Sequence, residues 1–187
     1  FMVLTDKESM VIQKRFALNG EQKQTLEKIG KHFNVTRERI RQIESIALSK
    51  LKRTVRTTRL DEVNGLAKEI LRNNGGLLRE DRLITECLKR IVGAKDVDGA
   101  VLRLSFSIDP DMISGSRANS FISFWRIESL AMDDVSVIVN SIVKILKKRK
   151  NCMQTGEIVS AIQALNLFDG RVPSRELIAS CLEIDER

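Results

Sequence analysis

Between Thr25 and Leu51 two apolar stripes of helical period are separated by a very short break, and this spacing constrains the fold more than any other feature of the chain. In "TLEKIGKHF", Leu26, Ile29 and Phe33 stand at i, i+3 and i+7, so they line one face of a helix that Thr25 can cap. Asn34-Val35 makes a turn and Thr36 is placed to cap a second helix. In that helix Ile40, Ile43, Ala47 and Leu51 form the buried stripe. At about 100° per residue, Glu38, Arg41, Gln42 and Ser45 lie on the opposite side, with Arg37 and Arg39 on the flanks. Two helices joined by so short a turn, the second polar and basic on its outer face, make a helix-turn-helix. Gly30 sits inside the first of them, where it costs about 1 kcal/mol against alanine. That cost predicts the close approach of another helix backbone.

The charge distribution points the same way. The chain carries a net charge of +7, yet residues 1–60 hold 14 Lys and Arg against 6 Asp and Glu, an excess of +8. Residues 61–132 hold 10 against 11, and residues 133–187 hold 8 against 8. A positive field concentrated in the first third is what a phosphate backbone selects. Within the second helix, Arg37 and Arg41 are like charges at i, i+4, which repel. Arg37 and Arg39 also occupy a first turn, where the helix dipole disfavours cations. Both features make sense if DNA supplies the missing anions.

The segment "TLEKIGKHFNVTRERIRQIESIALSKLK" is preceded by "LTDKESMVIQKRFAL", in which Thr5 and Glu8 have capping-box spacing and Met10, Val11, Phe16 and Leu18 supply apolar surface. Together, over residues 4–52, they resemble region 4 of primary-type bacterial sigma factors. The resemblance implies a helix-turn-helix docked in the major groove of a −35 promoter element, with Thr36 to Ser45 inserted. It places the family's base and phosphate contacts on Arg37, Glu38, Arg41 and Gln42. Their chemistry suits base edges, since Arg can fork onto guanine O6 and N7, Glu can accept from cytosine N4, and Gln can pair with adenine. Lys28, Lys31, Arg39 and Lys50 are the backbone-positioning candidates. The resemblance also implies an RNA polymerase partner, with Val11 to Leu18 facing its flap region. The chain continues for about 135 residues beyond Lys52, and the regions that melt a −10 element are not in this sequence.

Beyond the "TVRTTR" stretch, read as a linker with Asp61 capping the next helix, the chain repeats itself. "ILRNNGGLLREDRLITECL" (Ile70 to Leu88) aligns without gaps with "ILKKRKNCMQTGEIVSAIQ" (Ile145 to Gln163), 75 residues on. "DGAVLRLSFSID" (Asp98 to Asp109) matches "SRELIASCLEID" (Ser174 to Asp185) at an offset of 76. Each unit reads helix, short turn, helix, loop, helix. In the first, Gly115 to Asn119 supplies a turn and Phe121 to Ile127 a strand, so a two-stranded hairpin follows the helices. This part distantly resembles the winged-helix domains of the RNA polymerase delta subunit and of some restriction enzymes. The second unit stops at Arg187, where its own hairpin should begin.

The expected fold is therefore mostly α, a helix-turn-helix bundle followed by two tandem winged-helix-like units. The expected modules are residues 1–53, a linker at 54–60, a winged-helix-like unit at 61–130 and a second at 131–187, truncated or wingless. Met112, Phe121, Phe124 and Trp125 read as core. "KKRK" (Lys147 to Lys150) ends a helix, where cations suit the dipole, and Arg117 in the wing is the one arginine placed to reach a minor groove. The near-zero charge of residues 61–187 favours a protein partner, self-association or a spacing role over a second phosphate footprint.

No catalytic apparatus is expected. His32 lacks partners at metal spacing, no glycine-rich phosphate loop occurs, and Pro110-Asp111 has no acidic-x-Lys downstream to complete a nuclease site. Glu21-Gln22-Lys23 has that triplet but falls in a loop. No cofactor or metal is called for. Cys87, Cys152 and Cys181 form no C-x-x-C and read as reduced core thiols of a cytoplasmic protein. No apolar run approaches spanning length, so no membrane partner is expected. Phe1 precedes Met2, which reads as a fragment or processed end. The expected function is sequence-specific duplex DNA binding in transcription initiation or its regulation. The alternatives are the specificity part of a restriction or DNA-modification system, and the C-terminal part of an atypical full sigma factor.

Overall fold

The computed structural model describes residues 3–20, 22–91, 97–115, 120–149 and 152–187. It is mostly helical, as expected. Glu21, Arg117 and Lys150, and the turn residues 116–119, lie outside the described residues. Contacts divide the chain into two compact units that interleave along the sequence, residues 1–65 with 88–110, and residues 66–87 with 111–187.

The first unit opens with α1 (Asp6–Phe16), α2 (Leu26–Phe33) and α3 (Arg37–Thr54). Each starts at the threonine the sequence singles out. The Thr5 hydroxyl accepts the Glu8 amide at 3.4 Å while the Thr5 amide donates to Glu8 Oε2 at 2.8 Å, completing the capping box. Thr25 accepts from the Lys28 amide at 3.2 Å and Thr36 from the Arg39 amide at 3.1 Å. Between α2 and α3, Asn34 takes a left-handed conformation, φ 53°, and the Val35 amide donates to the Gly30 carbonyl at 2.9 Å. Gly30 is explained by this turn and not by a crossing helix. A Cβ built on it would stand 2.7 Å from the Val35 carbonyl oxygen.

Among the described residues, apolar clusters hold the unit. Val11, Ile29 and Ile40 join α1, α2 and α3 in one. In another, Ile12, Leu18, Ala47, Leu51 and Val55 pack with Ala100, Leu104 and Ile108 of α6 (Gly99–Ile108). Val55 is buried within a short 3₁₀ turn, Val55–Thr57, and its side chain belongs to this core. The helix after it, α4 (Leu60–Asn73), starts one residue before Asp61, which lies in its first turn. Where α4 meets α6, Ser105 Oγ donates to Asn64 Oδ1 at 2.6 Å, satisfying a buried polar pair.

In the second unit, β1 (Leu77–Arg79), β2 (Met112–Gly115) and β3 (Phe124–Ile127) form an antiparallel sheet of order β1-β3-β2. Leu78 faces Trp125, and Ser114 faces Trp125 from the other side. The two expected strands pair antiparallel, with β3 starting at Phe124 and not at Phe121, and they gain a third strand. β1 is three residues long, too short to show period-two patterning, and its Leu-Leu pair is buried on both sides. Between β1 and the α6 segment runs α5 (Glu80–Arg90). Three further helices, α7 (Met132–Lys148), α8 (Thr155–Ala164) and α9 (Arg175–Ile184), close over the apolar side of the unit, burying Leu77, Phe124, Val135, Ile138, Ile162 and Ile178 together. Met112, Phe121, Phe124 and Trp125 are all core. Of the cysteines, Cys87 and Cys181 are buried and in no disulfide, burial pushing Cys181 up to about 12, but Cys152 is exposed and is no core residue.

The element boundaries recur at nearly constant offsets. α4 and α7 end 75 residues apart, α5 and α8 start 75 apart, and α6 and α9 are ten-residue helices starting 76 apart. Their partners differ. α6 packs on α1 and α3, whereas α9 packs on α7, α8 and β1. Gly75, at φ 75°, admits α9: a Cβ there would fall 2.4 Å from the Leu177 amide nitrogen. The tail after α9 pairs with the segment before β3, Ile122 donating its amide to the Ile184 carbonyl at 2.8 Å and Glu186 to Ser120 at 2.9 Å.

Candidate nucleic-acid interface

The interface is built by α3 and by what holds it. Ile40, Ala47 and Leu51 are buried, which turns the opposite face outward. Thr36, Arg37, Glu38, Arg39, Arg41, Gln42 and Ser45 are all exposed, and Lys28 and Lys31 of α2 are exposed beside them. Seven of the candidates named from sequence thus stand on the exposed part of α3, and two more are exposed on α2.

The tenth, Lys50, is set apart. Its ammonium donates to both Glu8 carboxylate oxygens at 2.8 Å, tying α3 to α1. The same contact, with the Thr5 amide, holds the Glu8 carboxyl below its ordinary 4.5. A second brace carries no sequence signature. Arg15 of α1 donates from Nε to Glu44 Oε1 of α3 at 3.0 Å and from Nη1 to the Gln24 carbonyl at 2.9 Å. Both braces join residues far apart in sequence, so no local pattern could reveal them. Val11, Ile12 and Leu18 face the core, leaving Met10 as the exposed apolar side chain of α1.

The outward face carries two i, i+3 couples. Arg41 grips Glu38 with Nε at 2.9 Å from Oε2 and Nη2 at 2.7 Å from Oε1. The Arg41 hydrogen bonds hold the Glu38 carboxyl below its usual range, and Glu38 in turn raises Arg41. One residue on, Arg39 Nη1 donates to Gln42 Oε1 at 3.1 Å. Both couples lie in solvent, where such pairs add little stability. What they do is fix the direction of long polar side chains on the one face left uncovered. Among the described residues no three His, Cys, Asp or Glu gather so as to hold a metal ion, and no helix is long and apolar enough to cross a membrane.

A capped helix pair with a left-handed Asn turn, an apolar underside and an outward array of arginine, glutamate and glutamine has the layout of a helix-turn-helix. Residues 1–53 match the family model of Sigma-70, region 4, and form a segment of that type. Over 59 residues the chain is 51% identical to the RNA polymerase sigma factor SigA of Clostridium acetobutylicum. That stretch is 32% of this chain, and the chain spans only 16% of the length of that relative. No solved structure matches the chain.

Proposed function

We propose that this protein binds duplex DNA sequence-specifically at a −35-like promoter element, in transcription initiation or its regulation, without a catalytic step and in the cytoplasm. The supporting observation is the coincidence of two independent facts. Residues 1–53 match Sigma-70, region 4, and the face of α3 left open by packing holds Arg37, Glu38, Arg41 and Gln42. Thr36 to Ser45 enter the major groove, where arginine reads guanine and glutamine adenine. Lys28, Lys31 and Arg39 meet phosphates and set the register. Lys50 is a brace for α3 through Glu8. RNA polymerase is the proposed partner, and residues 61–187 serve as a protein-binding or self-associating part with a winged-helix-like arrangement.

The test is fluorescence anisotropy of the 187-residue chain on a duplex carrying a −35 hexamer and on a scrambled one, at several salt concentrations. Preference for the hexamer is the expected result. Glu38→Gln then alters the preference with little change in salt slope, whereas Arg39→Ala weakens every duplex alike and lowers the slope by about 1. Equal, steeply salt-dependent binding to both duplexes would refute base reading by α3.

A further inference from the structure

Arg41 can be read edge by edge. Its Nε and Nη2 hydrogens, which make the side edge of the guanidinium, are both directed at the Glu38 carboxylate. Its end edge, one hydrogen on Nη1 and the second on Nη2, has no partner among the described residues. Two parallel donors on one edge are the geometry that forks onto guanine O6 and N7. Of the two edges able to fork onto a guanine, Glu38 therefore occupies one and leaves the other open.

Building on the DNA-reading function, we propose that Glu38 is a positioning residue for Arg41: it holds the guanidinium so that the end edge addresses a guanine in the major groove. Glu38 sits three residues ahead of Arg41, about one turn away, so the two side chains meet along the exposed face of α3 without leaving it. An unpaired arginine has a long flexible stem to order on binding, and holding one edge beforehand removes part of that cost. The negative charge also offsets the repulsion between Arg41 and Arg37 in the same turn, consistent with both arginines acting to lower the Glu38 carboxyl. This assigns Glu38 a part different from accepting a hydrogen bond from cytosine.

The experiment is a double-mutant cycle on the full chain: wild type, Glu38→Gln, Arg41→Ala and the double variant. Each is titrated by anisotropy against duplexes in which every base pair of the preferred site is exchanged in turn, with far-UV circular dichroism confirming that each variant is folded. Arg41→Ala should abolish discrimination at one G·C pair, a loss of about 5- to 150-fold. Glu38→Gln keeps the shape and one acceptor but loses the charge, and should reduce discrimination at that same pair by about two- to fivefold. In the Arg41→Ala background Glu38→Gln should do nothing further to base preference. An effect of Glu38→Gln at a different base pair, or one that persists without Arg41, overturns the positioning role and makes Glu38 an independent reader. If Arg41→Ala is silent while Arg37→Ala or Gln42→Ala changes base preference, the positioning role fails and DNA reading stands. If all three are silent, both fail.

Discussion

Replacing Gly30 by alanine pits two effects of known size against each other. Inside an exposed helix the change should stabilise by about 1 kcal/mol, because glycine is the poorer helix former. Here the new Cβ would stand 2.7 Å from the carbonyl oxygen of Val35. That oxygen belongs to the turn between α2 and α3, so it cannot swing aside as a side-chain tip would. The turn is also tied down by the Val35 amide, which donates to the Gly30 carbonyl at 2.9 Å. Relieving the clash means weakening that bond, worth about 0.5–1.5 kcal/mol, on top of an overpacking cost of about 1–3 kcal/mol. The clash wins, and Gly30→Ala should destabilise the first unit by about 1–3 kcal/mol net. Urea unfolding followed by far-UV circular dichroism measures it, with a midpoint drop of about 0.5–1.5 M at ordinary slopes. Trp125, the single tryptophan, lies in the second unit, so its fluorescence is the internal control. DNA affinity should fall as well, since the turn sets the start of α3. A variant as stable as wild type or more so would refute the account of Gly30.

Two further perturbations test the scaffold. Leu104→Ala removes a buried side chain of α6 that packs with Ile12, Leu51 and Val55. It should cost about 2–4 kcal/mol in the urea assay and weaken DNA binding, although Leu104 lies well beyond the residues that match region 4; an unaltered unfolding curve would exclude α6 from that core. Glu8, held below its ordinary 4.5 by Lys50 and the Thr5 amide, contributes stability that is full above about pH 4.5 and lost as pH falls through its depressed value. Urea midpoints between about pH 3 and 7 should therefore drop more steeply for wild type than for Glu8→Gln, and parallel curves would refute the linkage.

What was legible in the sequence were relations between residues within one or two helical turns. Thr5, Thr25 and Thr36 could be read as caps because the hydroxyl and the amide it accepts are three residues apart. The outward face of α3 followed from Ile40, Ala47 and Leu51, because helical period alone decides which side chains oppose a buried stripe. The offsets between the boundaries of α4 to α9 have the same origin: caps and apolar periods are local. Tertiary structure decided the rest. It bound Lys50 to Glu8 and Arg15 to Glu44, pairs separated by 42 and 29 residues. It gave β1 its strand identity through β3, since three residues cannot declare a period. It sent two similar helices, α6 and α9, to different cores, because an apolar stripe states only that it must be covered. Which surface covers it depends on shape and on chain connection, and neither is written within the stripe.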